Sequence, residues 1–449
     1  MRVVIVGAGD VGTYLARALS SRSAEVIVVD RRQERLDRVE EQADVLTLYG
    51  DATHWSTLRE AGVDKADITL VMTSSDDANV VAAALSVQEG ARRAVARVDD
   101  PSFYRTSGGV EAGMLGIHAV LCASRLVSQE LLRMVRAVDA EFVSDFAGNA
   151  LQIAQARLGD TAPVLGTAAS AIALQGEAHV AGVVRDLVLR APEDVGHLEP
   201  DDALLIAGSP RAIDGAIRAV TGARPHRRTV IIGGGDVGFQ LARGLAETGR
   251  RVQVIELDLE RCHFLAQALP DITVIHGDGT NIHTLRDEAV DRADFLLSVT
   301  RSDEVNLMAS LLGADLGVPW TYALVHRPGY TEVYDHLGIH GTAGPHEQIW
   351  RMVQWMLPAS GPLLREALPG CTHELFEFQL PGVLATGATL GDLVLPPEAL
   401  VVALARGASV VRPRASTELE GFDHVVVAAP PSLASTVERR LRGLGRGVE

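Results

Sequence analysis

One short pattern occurs twice in this 449-residue chain and limits what the chain can fold into. The segments Val3–Gly12 and Val230–Gly238 each run from a stretch of apolar, mostly β-branched residues into Gly-x-Gly-x-x-Gly. In both places the pattern predicts a buried strand, a tight turn and the start of a helix. The first glycines, Gly7 and Gly233, lie 226 positions apart, which points to a duplicated domain.

The repetition extends well beyond the glycines. Asp30 and Glu256 share the offset of 226, and one inserted residue makes the offset 227 from Asp51 and Asp278 onward. Further polar pairs at the second offset are Thr53 with Thr280, Thr73 with Thr300, Asp76 with Asp303 and Asn79 with Asn306. A repeat of this length indicates a duplicated pair of domains rather than a solenoid.

Continuous apolar strands alternate with helices through each repeat, as in strand Arg2–Val6, helix Val11–Ser21 and strand Glu25–Asp30. Such alternation is typical of a parallel sheet covered by helices on both faces. We therefore predict an α/β protein with two Rossmann-like, doubly wound parallel-sheet domains. Near the end of the first repeat, apolar residues at helical spacing predict a single helix over residues 118–136.

The segments that follow the two repeats have short alternating strands and many turn residues, which predict small α+β domains. The chain is thus expected to hold four domains. They are a Rossmann-like domain with its connecting helix (1–136), a small domain (141–222), a second Rossmann-like domain with its connecting helix (229–357) and a second small domain (370–442).

Composition excludes several classes of function. A net charge of −17 argues against a nucleic-acid partner. Three widely separated cysteines give no disulfide framework, so a reducing cytoplasm is expected. The first apolar run is the strand of the glycine motif rather than a signal peptide, and no run of about 18 apolar residues predicts a membrane span.

The glycine motif suits a dinucleotide. Gly7 permits a tight turn, Gly9 lets the backbone approach a pyrophosphate, and Gly12 lets the helix pack closely on the strand. The N-terminus of the following helix offers free amide groups to phosphates. By itself the motif is a weak signal, because a tight turn with nothing bound fits it too, but the strand, the helix and the acid at the end of the next strand strengthen it.

That acid is Asp30, and Glu256 matches it in the second repeat. A carboxylate there accepts hydrogen bonds from ribose hydroxyls and repels a 2′-phosphate, which favours NAD or another unphosphorylated adenosine ribose over NADP. Arg31 and Arg32 follow Asp30 directly and weaken this argument against NADP. An exposed acid at a strand end without a ligand is the alternative.

Polar residues cluster after the third and fourth strands, at the edge of the sheet where ligands collect. Asp51 and Asp278 could bond an adenine amino group or cap the next helix. The Thr73–Asn79 and Thr300–Asn306 turns share a threonine, a serine, an aspartate and an asparagine at matching positions. Helix capping explains part of this pattern, and its recurrence in both repeats indicates a site as well.

A dehydrogenase needs a catalytic acid–base pair and a substrate cleft, and no such constellation stands out. Nucleophile-elbow, Walker-lysine and His-Glu-x-x-His motifs are missing from the sequence. His336 and His340 are four residues apart, but loop or surface histidines are the simpler interpretation, so no metal is expected. A nicotinamide-dependent oxidoreductase and a stand-alone nucleotide sensor remain the alternative functions.

Taken in order, the motifs resemble the RCK (regulator of conductance of potassium, or KTN) domain. The series is the glycine turn, the strand-end acid, Gly-Asp-x-Thr, Thr-x-Ser-Asp-(Asp/Glu)-x-Asn and, in the first repeat, Ala-Arg-Val-x-x-Pro. The Leu395–Gly407 and Leu419–Val427 stretches resemble the module that follows it. Two such pairs in one chain resemble the TrkA family, the cytoplasmic regulatory subunits of bacterial Trk potassium uptake systems.

The resemblance implies a non-enzymatic protein that binds NAD(H), with ADP or ATP as alternatives. It also implies assembly into dimers or tetramers on the inner face of the cell membrane, where the protein gates a potassium-transporting subunit. The ligand contacts it implies in the first repeat are Gly7, Gly9, Asp10, Val11, Gly12, Asp30, Asp51, Ala52, Thr53, Thr73, Ser74, Asp76, Asn79 and Arg97. Those in the second are Gly233, Gly235, Asp236, Val237, Gly238, Glu256, Asp278, Gly279, Thr280, Thr300, Asp303 and Asn306.

Two departures from the family pattern bear on the ligand. Asp10 and Asp236 stand where many RCK domains carry arginine, and an acid beside a terminal phosphate is unfavourable. Arg97 aligns with Leu324, so the second repeat lacks that cation. The two sites are therefore expected to differ in ligand preference.

Overall fold

The computed structural model describes residues 1–22, 24–100, 103, 110–111, 114–223, 228–357, 362–384 and 387–444. The chain divides into two units, Met1–Leu132 with His226–Pro358 and Arg133–Pro225 with Ala359–Glu449. The two Rossmann-like domains therefore share one unit and the two small domains share the other.

The first repeat forms a seven-stranded sheet. Its strands are β1 (Arg2–Val6), β2 (Glu25–Asp30), β3 (Leu46–Tyr49), β4 (Ile68–Val71), β5 (Ala94–Val98), β6 (Val110–Glu111) and β7 (Ala119–Cys122). Its helices are α1 (Asp10–Ser20), α2 (Gln33–Gln42), α3 (Trp55–Glu60), α4 (Asp76–Gln88) and α5 (Ala123–Ala137). The strand order is β3-β2-β1-β4-β5-β7-β6, and only the β6–β7 pair is antiparallel. This order confirms the predicted Rossmann-like fold.

The single helix predicted over residues 118–136 is wrong at its start. Residues Ala119–Cys122 form β7, pair in parallel with β5 and are fully enclosed, and α5 begins only at Ala123. A short strand buried on both faces has no alternation of polar and apolar residues. Its apolar run therefore merges with that of the following helix.

The first small domain contains an antiparallel sheet of five strands and one helix. These are β8 (Phe142–Phe146), β9 (Leu151–Arg157), β10 (Ala178–Arg185), β11 (Val188–Arg190), β12 (Ala203–Gly208) and α6 (Pro210–Thr221). The strand order is β11-β10-β12-β9-β8.

The second repeat forms a six-stranded sheet in which every neighbouring pair is parallel. Its strands are β13 (Arg228–Ile232), β14 (Arg251–Glu256), β15 (Thr273–His276), β16 (Phe295–Ser298), β17 (Trp320–Leu324) and β18 (Gly341–Ala343). Its helices are α7 (Asp236–Ala246), α8 (Leu259–Ala268), α9 (Ile282–Asp287), α10 (Asp303–Asp315), α11 (Thr331–His336) and α12 (Pro345–Met356). The order β15-β14-β13-β16-β17-β18 matches that of the first sheet.

The second small domain repeats the topology of the first. Its elements are β19 (Leu364–Ala367), β20 (Glu374–Gln379), β21 (Leu400–Arg406), β22 (Ser409–Val411), β23 (His424–Ala429) and α13 (Ala434–Gly443), with order β19-β20-β23-β21-β22. The predicted start at residue 370 is too late, because β19 precedes it and pairs with β20. This edge strand reads Leu-Arg-Glu-Ala and lacks the apolar content expected of a strand.

The two Rossmann-like domains share a core. Helix α12 of the second domain packs against α1 of the first, and its Ile349, Met352 and Val353 join the buried cluster beneath the first sheet. Arg351 of α12 also pairs with the buried Glu130 of α5, at 3.3 Å. In the described part of the chain, no helix is long and apolar enough to cross a membrane.

Candidate functional site

The glycine turn after β1 gives its three glycines different roles. Gly7 has a φ of 104°, a left-handed value that favours glycine. A Cβ on Gly12 would lie 1.8 Å from the carbonyl oxygen of Gly7, so this glycine lets α1 pack directly on the turn. Gly9 has φ −81° and ψ −171°, which any residue adopts, and a Cβ there would meet only Arg35, at 3.8 Å. Position 9 therefore offers open space beside the N-terminus of α1.

The second repeat reproduces this turn. Gly233 has a φ of 102°. A Cβ on Gly238 would lie 2.0 Å from the carbonyl oxygen of Gly233, whereas a Cβ on Gly235 would meet nothing within 4 Å. The space beside the first turn of the helix is thus present in both repeats.

The acids at the ends of β2 and β14 hold these turns in place. Asp30 accepts hydrogen bonds from the Ala8 amide at 2.7 Å and from the amide two residues further along at 2.9 Å. Glu256 accepts the equivalent bonds from the Gly234 amide at 2.5 Å and from the amide two residues on at 2.8 Å. Each carboxylate oxygen can accept a second bond, so ribose hydroxyls can still be bound. The sequence pattern does not predict these hydrogen bonds to the backbone, which add a structural role to the expected contact with ribose.

Asp51 and Asp278 bond to the threonine two residues later. Asp51 Oδ1 accepts from the Thr53 amide at 2.9 Å and from its hydroxyl at 2.7 Å, and Asp278 accepts from Thr280 at 2.8 and 2.7 Å. These bonds favour the ionised carboxylate and lower the pKa of both aspartates. Neither aspartate caps the following helix, which was one of the two predicted roles.

Asn79 and Asn306 are buried and brace the loop after the fourth strand of each sheet. Asn79 Oδ1 accepts from the Thr73 amide at 3.0 Å and hydroxyl at 2.5 Å, while Nδ2 donates to the carbonyls of Thr73 and Arg97, both at 2.9 Å. Asn306 makes the equivalent four bonds in the second repeat. All the hydrogen-bonding capacity of these amides is used within the protein.

Asp76 and Asp303 also turn toward the protein. Asp76 Oδ2 accepts from the amides of Asp99 and Asp100, at 3.0 and 2.7 Å. Asp303 Oδ1 contacts the amide and the ring Nδ1 of His326, at 2.8 and 2.9 Å. Both aspartates therefore fix the loop that follows the fifth strand of their sheet.

A cleft of about 700 Å³ opens at the carboxyl edge of the first sheet. The predicted residues that line it are Gly7, Asp30, Asp51, Ala52, Thr53, Thr73 and Ser74. Gly9, Asp10, Val11 and Arg97 line a neighbouring cavity of about 680 Å³, which shares Thr73, Ser74 and Arg35 with the cleft. Gly12, Asp76 and Asn79 line neither space, in keeping with their bonds or packing inside the domain.

Two histidines of the second Rossmann-like domain complete the wall of the neighbouring cavity. His326 and His346 line it together with Arg97, whose guanidinium contacts the Asp99 carboxylate at 2.8 Å. His346 is 1% exposed, and burial lowers its pKa to about 4, so its ring is neutral at pH 7.

The second cleft, at the carboxyl edge of the second sheet, is larger, about 1340 Å³. The predicted residues that line it are Gly233, Gly235, Asp236, Glu256, Asp278, Gly279, Thr280 and Thr300. Val237, Gly238, Asp303 and Asn306 do not line it. The structure thus brings most predicted residues of each repeat together and leaves the others outside the clefts.

Two equivalent arginines, Arg35 and Arg261, line the clefts and were not among the predicted contacts. Arg261 donates from Nε to the Gly234 carbonyl at 2.6 Å and pairs with Asp236 at 3.1 Å, so this acid of the glycine turn is neutralised by a neighbour. Arg35 lies 4.0 Å from Asp30. Both arginines come five residues after the strand-end acid and match at the offset of 226, a signal that was available. Among the described residues, no cluster of His, Cys, Asp and Glu could hold a metal ion.

Comparison with known proteins identifies the parts of the chain. The TrkA-N domain model matches residues 3–122 and 229–345, more than half of the chain, and the TrkA-C domain model matches residues 377–442. The Trk system potassium uptake protein TrkA homolog of Archaeoglobus fulgidus is 28% identical over 96% of this chain and 97% of its own length. A Methanosarcina mazei protein, TrkA homolog 1, is 27% identical over 98% and 99%. These relatives are named for potassium uptake and not for a catalytic activity, in agreement with the expectation that the chain is not an enzyme.

Solved structures share the fold. The GsuK RCK domain superposes with a TM-score of 0.58 at 20% identity and covers 98% of this chain and 94% of its own. The GsuK channel bound to NAD gives the same TM-score and identity, over 98% and 78%, and GsuK bound to ADP gives 0.50 at 16%, over 79% and 69%. With two copies of the TrkA-N domain and a TrkA-C domain on the predicted fold, this chain belongs to the TrkA family.

Proposed function

We propose that the chain is the nucleotide-binding regulatory subunit of a Trk-type potassium uptake system. The observation that supports this most strongly is the pair of equivalent clefts at the carboxyl edges of the two Rossmann-like sheets. Nucleotides bind at that edge in open α/β sheets, with their phosphates at the N-terminus of the helix after the glycine turn. Open space beside Gly9 and Gly235 leaves room for phosphates in both repeats.

NAD(H) is the proposed ligand, with ADP or ATP as alternatives. Asp30 and Glu256 retain acceptor capacity for ribose hydroxyls, and the GsuK structures bound to NAD and to ADP have the same fold. The predicted contacts that line the clefts and the neighbouring cavity would touch the ligand. Asn79 and Asn306 would act on it through the position of the loops they brace.

Regulation would follow from unequal binding to two arrangements of the protein. A nucleotide can shift such an equilibrium only by the difference in its affinities for the two arrangements. In this proposal the chain assembles into dimers or tetramers and sits on the cytoplasmic face of a potassium-transporting membrane subunit. No nucleic acid takes part, in keeping with the net charge of −17.

The proposal is tested by potassium uptake in cells that lack the gene, complemented with the wild-type chain or with Gly9→Ala/Gly235→Ala. We expect the wild-type chain to restore uptake and to co-purify with the membrane subunit, and the double variant to lose nucleotide control of uptake. Normal uptake without the gene would support a stand-alone sensor instead. Steady oxidation of NADH with a metabolite would support an oxidoreductase.

A further inference from the structure

The first cleft carries a cluster of positive charge beside Asp30, at the end of β2. Arg31, Arg32 and Arg35 all line the cleft there. The Arg31 and Arg32 side chains are exposed, and in the described part of the chain neither guanidinium forms an ion pair or hydrogen bond. The charge of Arg31 contributes to the lowered pKa of Asp51 in the same cleft. Without an ion pair or hydrogen bond to hold them, both guanidinium groups can reach the position that an adenosine ribose takes in a Rossmann-type site.

The carboxylate at this position is already compensated. Asp30 is 8% exposed, and each of its oxygens accepts a backbone amide hydrogen bond. The Arg35 guanidinium lies 4.0 Å from its Oδ2 atom. Amide dipoles and a cation offset the negative charge of Asp30. This acid therefore repels a phosphate on the ribose less than a strand-end acid usually does.

The second cleft has the same fold and a different charge at these positions. Leu257 and Asp258 replace Arg31 and Arg32, and Arg261 is engaged with the Gly234 carbonyl and with Asp236. Beside the strand-end acid, the first cleft is therefore lined by three arginines, whereas the second is lined there by one engaged arginine and by Asp258. A ligand that carries an extra phosphate near the strand-end acid would meet attraction in the first cleft and repulsion in the second.

We infer that the first cleft binds adenine nucleotides that carry a phosphate monoester on the adenosine ribose, as NADP(H) does, and that the second cleft rejects them. Guanidinium groups are suited to this task, because they form bidentate, charge-assisted hydrogen bonds with phosphate. This inference rests on the proposed nucleotide-binding function and assigns a different ligand to each of the two sites.

Calorimetric titration of the full-length chain with AMP, 2′,5′-ADP and 3′,5′-ADP tests the inference. We expect one equivalent of a ribose-phosphorylated ligand per chain to bind roughly tenfold more tightly than AMP. The gain is expected to shrink as salt is raised, because the arginines are exposed. A gain with 2′,5′-ADP indicates a ligand of the NADP type and a gain with 3′,5′-ADP one of the coenzyme A type. Either supports the inference.

Exchanging residues between the repeats provides matched variants. Arg31→Leu/Arg32→Asp gives the first cleft the residues of the second, and we expect no tight equivalent. Leu257→Arg/Asp258→Arg gives the second cleft the arginines of the first, and we expect two tightly bound equivalents of the ribose-phosphorylated ligand per chain. As a control for the change in charge, Arg439→Leu/Arg440→Asp alters adjacent exposed arginines of α13 in the same way and should behave like wild type.

Equal affinity of the wild-type chain for AMP and for both bisphosphates would overturn the inference. Retention of the preference by Arg31→Leu/Arg32→Asp would do so as well, since the cluster would then not be its source. NAD⁺ serves as the separate control for the proposed function. If neither AMP nor NAD⁺ binds, nucleotide binding itself fails, whereas binding of both without a preference for ribose phosphate removes only the inference drawn from the arginines.

Discussion

At the scale of residues, the two repeats pack the first strand against the loop after the third strand with different pairs of side chains. A Cβ on Gly279 would lie 2.1 Å from Cγ2 of Ile232, so this glycine makes room for the larger strand residue. The equivalent pair in the first repeat is Ala52 with Val6. There the loop residue is larger by one methyl group and the strand residue is smaller by one. Well-packed contacts tolerate such exchanges when the total volume is kept.

Gly279→Ala alone should therefore destabilise the unit of the two Rossmann-like domains by about 1–3 kcal/mol, because the added methyl overpacks this contact. Adding Ile232→Val recreates the pair found in the first repeat and should restore most of the loss. Urea unfolding of the two single variants and the double variant measures the coupling. Additive effects would show that the two residues do not share the contact.

At this scale the spacing of residues in the sequence predicts several features of the structure. The glycine spacing predicted the turn geometry, and the repeat offset matched the polar residues of the two clefts. Spacing could not separate residues that face the cleft from residues that support it. Asn79 lies three positions after Asp76 and six after Thr73, yet only Thr73 faces the cleft, because side-chain direction depends on where the helix begins.

At the scale of elements, Asn79 connects three of them. Its four hydrogen bonds join the end of β4, the start of α4 and the end of β5. Asn79→Ala should leave the Thr73 amide and the Arg97 carbonyl without their partner and cost about 2–4 kcal/mol. Urea unfolding without nucleotide measures this cost. Unchanged stability in that assay would mean that the loop does not depend on the amide.

The two small domains share a further element-scale device. Arg185 and Asp202 form a bidentate pair at 2.7 and 2.6 Å, and Arg406 and Asp423 form its equivalent at 2.9 and 2.9 Å. Each pair links the end of one strand to the turn before the last strand of the sheet. Arg406 and Asp423 lie in the Leu395–Gly407 and Leu419–Val427 stretches noted in the sequence, so these two residues have a structural role. The equivalent Arg185–Asp202 pair shows that the two small domains are repeats of one another.

Strands β10 and β21 of the two small domains meet through a buried histidine. His179 is 6% exposed, contacts the Val402 carbonyl through Nε2 at 3.1 Å, and has a pKa that burial lowers to about 4 from the usual 6.5. Between pH 6.5 and 4 the unfolded chain therefore binds a proton that the folded chain does not. The contribution of neutral His179 to the free energy of unfolding is fully present above pH 6.5. It is lost as the pH is lowered through that window, by up to about 3 kcal/mol.

His179→Gln keeps a donor for the Val402 carbonyl and removes the titration. Urea unfolding at pH 7.5 and pH 4.5 should show a smaller loss for the variant than for wild type. The exposed His54 provides the control, His54→Gln, which should leave the loss unchanged. The same loss in His179→Gln as in wild type would rule out this histidine as its source.

At the scale of the whole molecule, the chain is a duplication whose halves differ in the residues that line their two clefts. The order of strands is common to both Rossmann-like sheets. The alternation of apolar strands and helices in the sequence predicted the fold class but not this order. The sequence does not predict that the two Rossmann-like domains share one unit and the two small domains the other. This pairing depends on contacts between the apolar faces of separate helices, such as α12 on α1. Periodicity predicts that such a face is buried but not which element covers it.

In the proposed function, both clefts bind a nucleotide whose phosphates lie beside Gly9 and Gly235. Alanine fits either position without a steric clash, so the fold should tolerate Gly9→Ala and Gly235→Ala, whereas Gly12→Ala would clash with the Gly7 carbonyl and unfold the turn. Urea unfolding of Gly9→Ala/Gly235→Ala should match wild type and establish that any loss of binding is local.

Calorimetric titration of the full-length chain with NADH tests this claim most directly. We expect two equivalents of NADH per chain to bind to wild type and one to bind to each single variant. For Gly9→Ala/Gly235→Ala we expect a loss of affinity of at least roughly tenfold at both sites, because the added methyl groups occupy the space that the phosphates need. Wild-type affinity and stoichiometry in the double variant would contradict this claim.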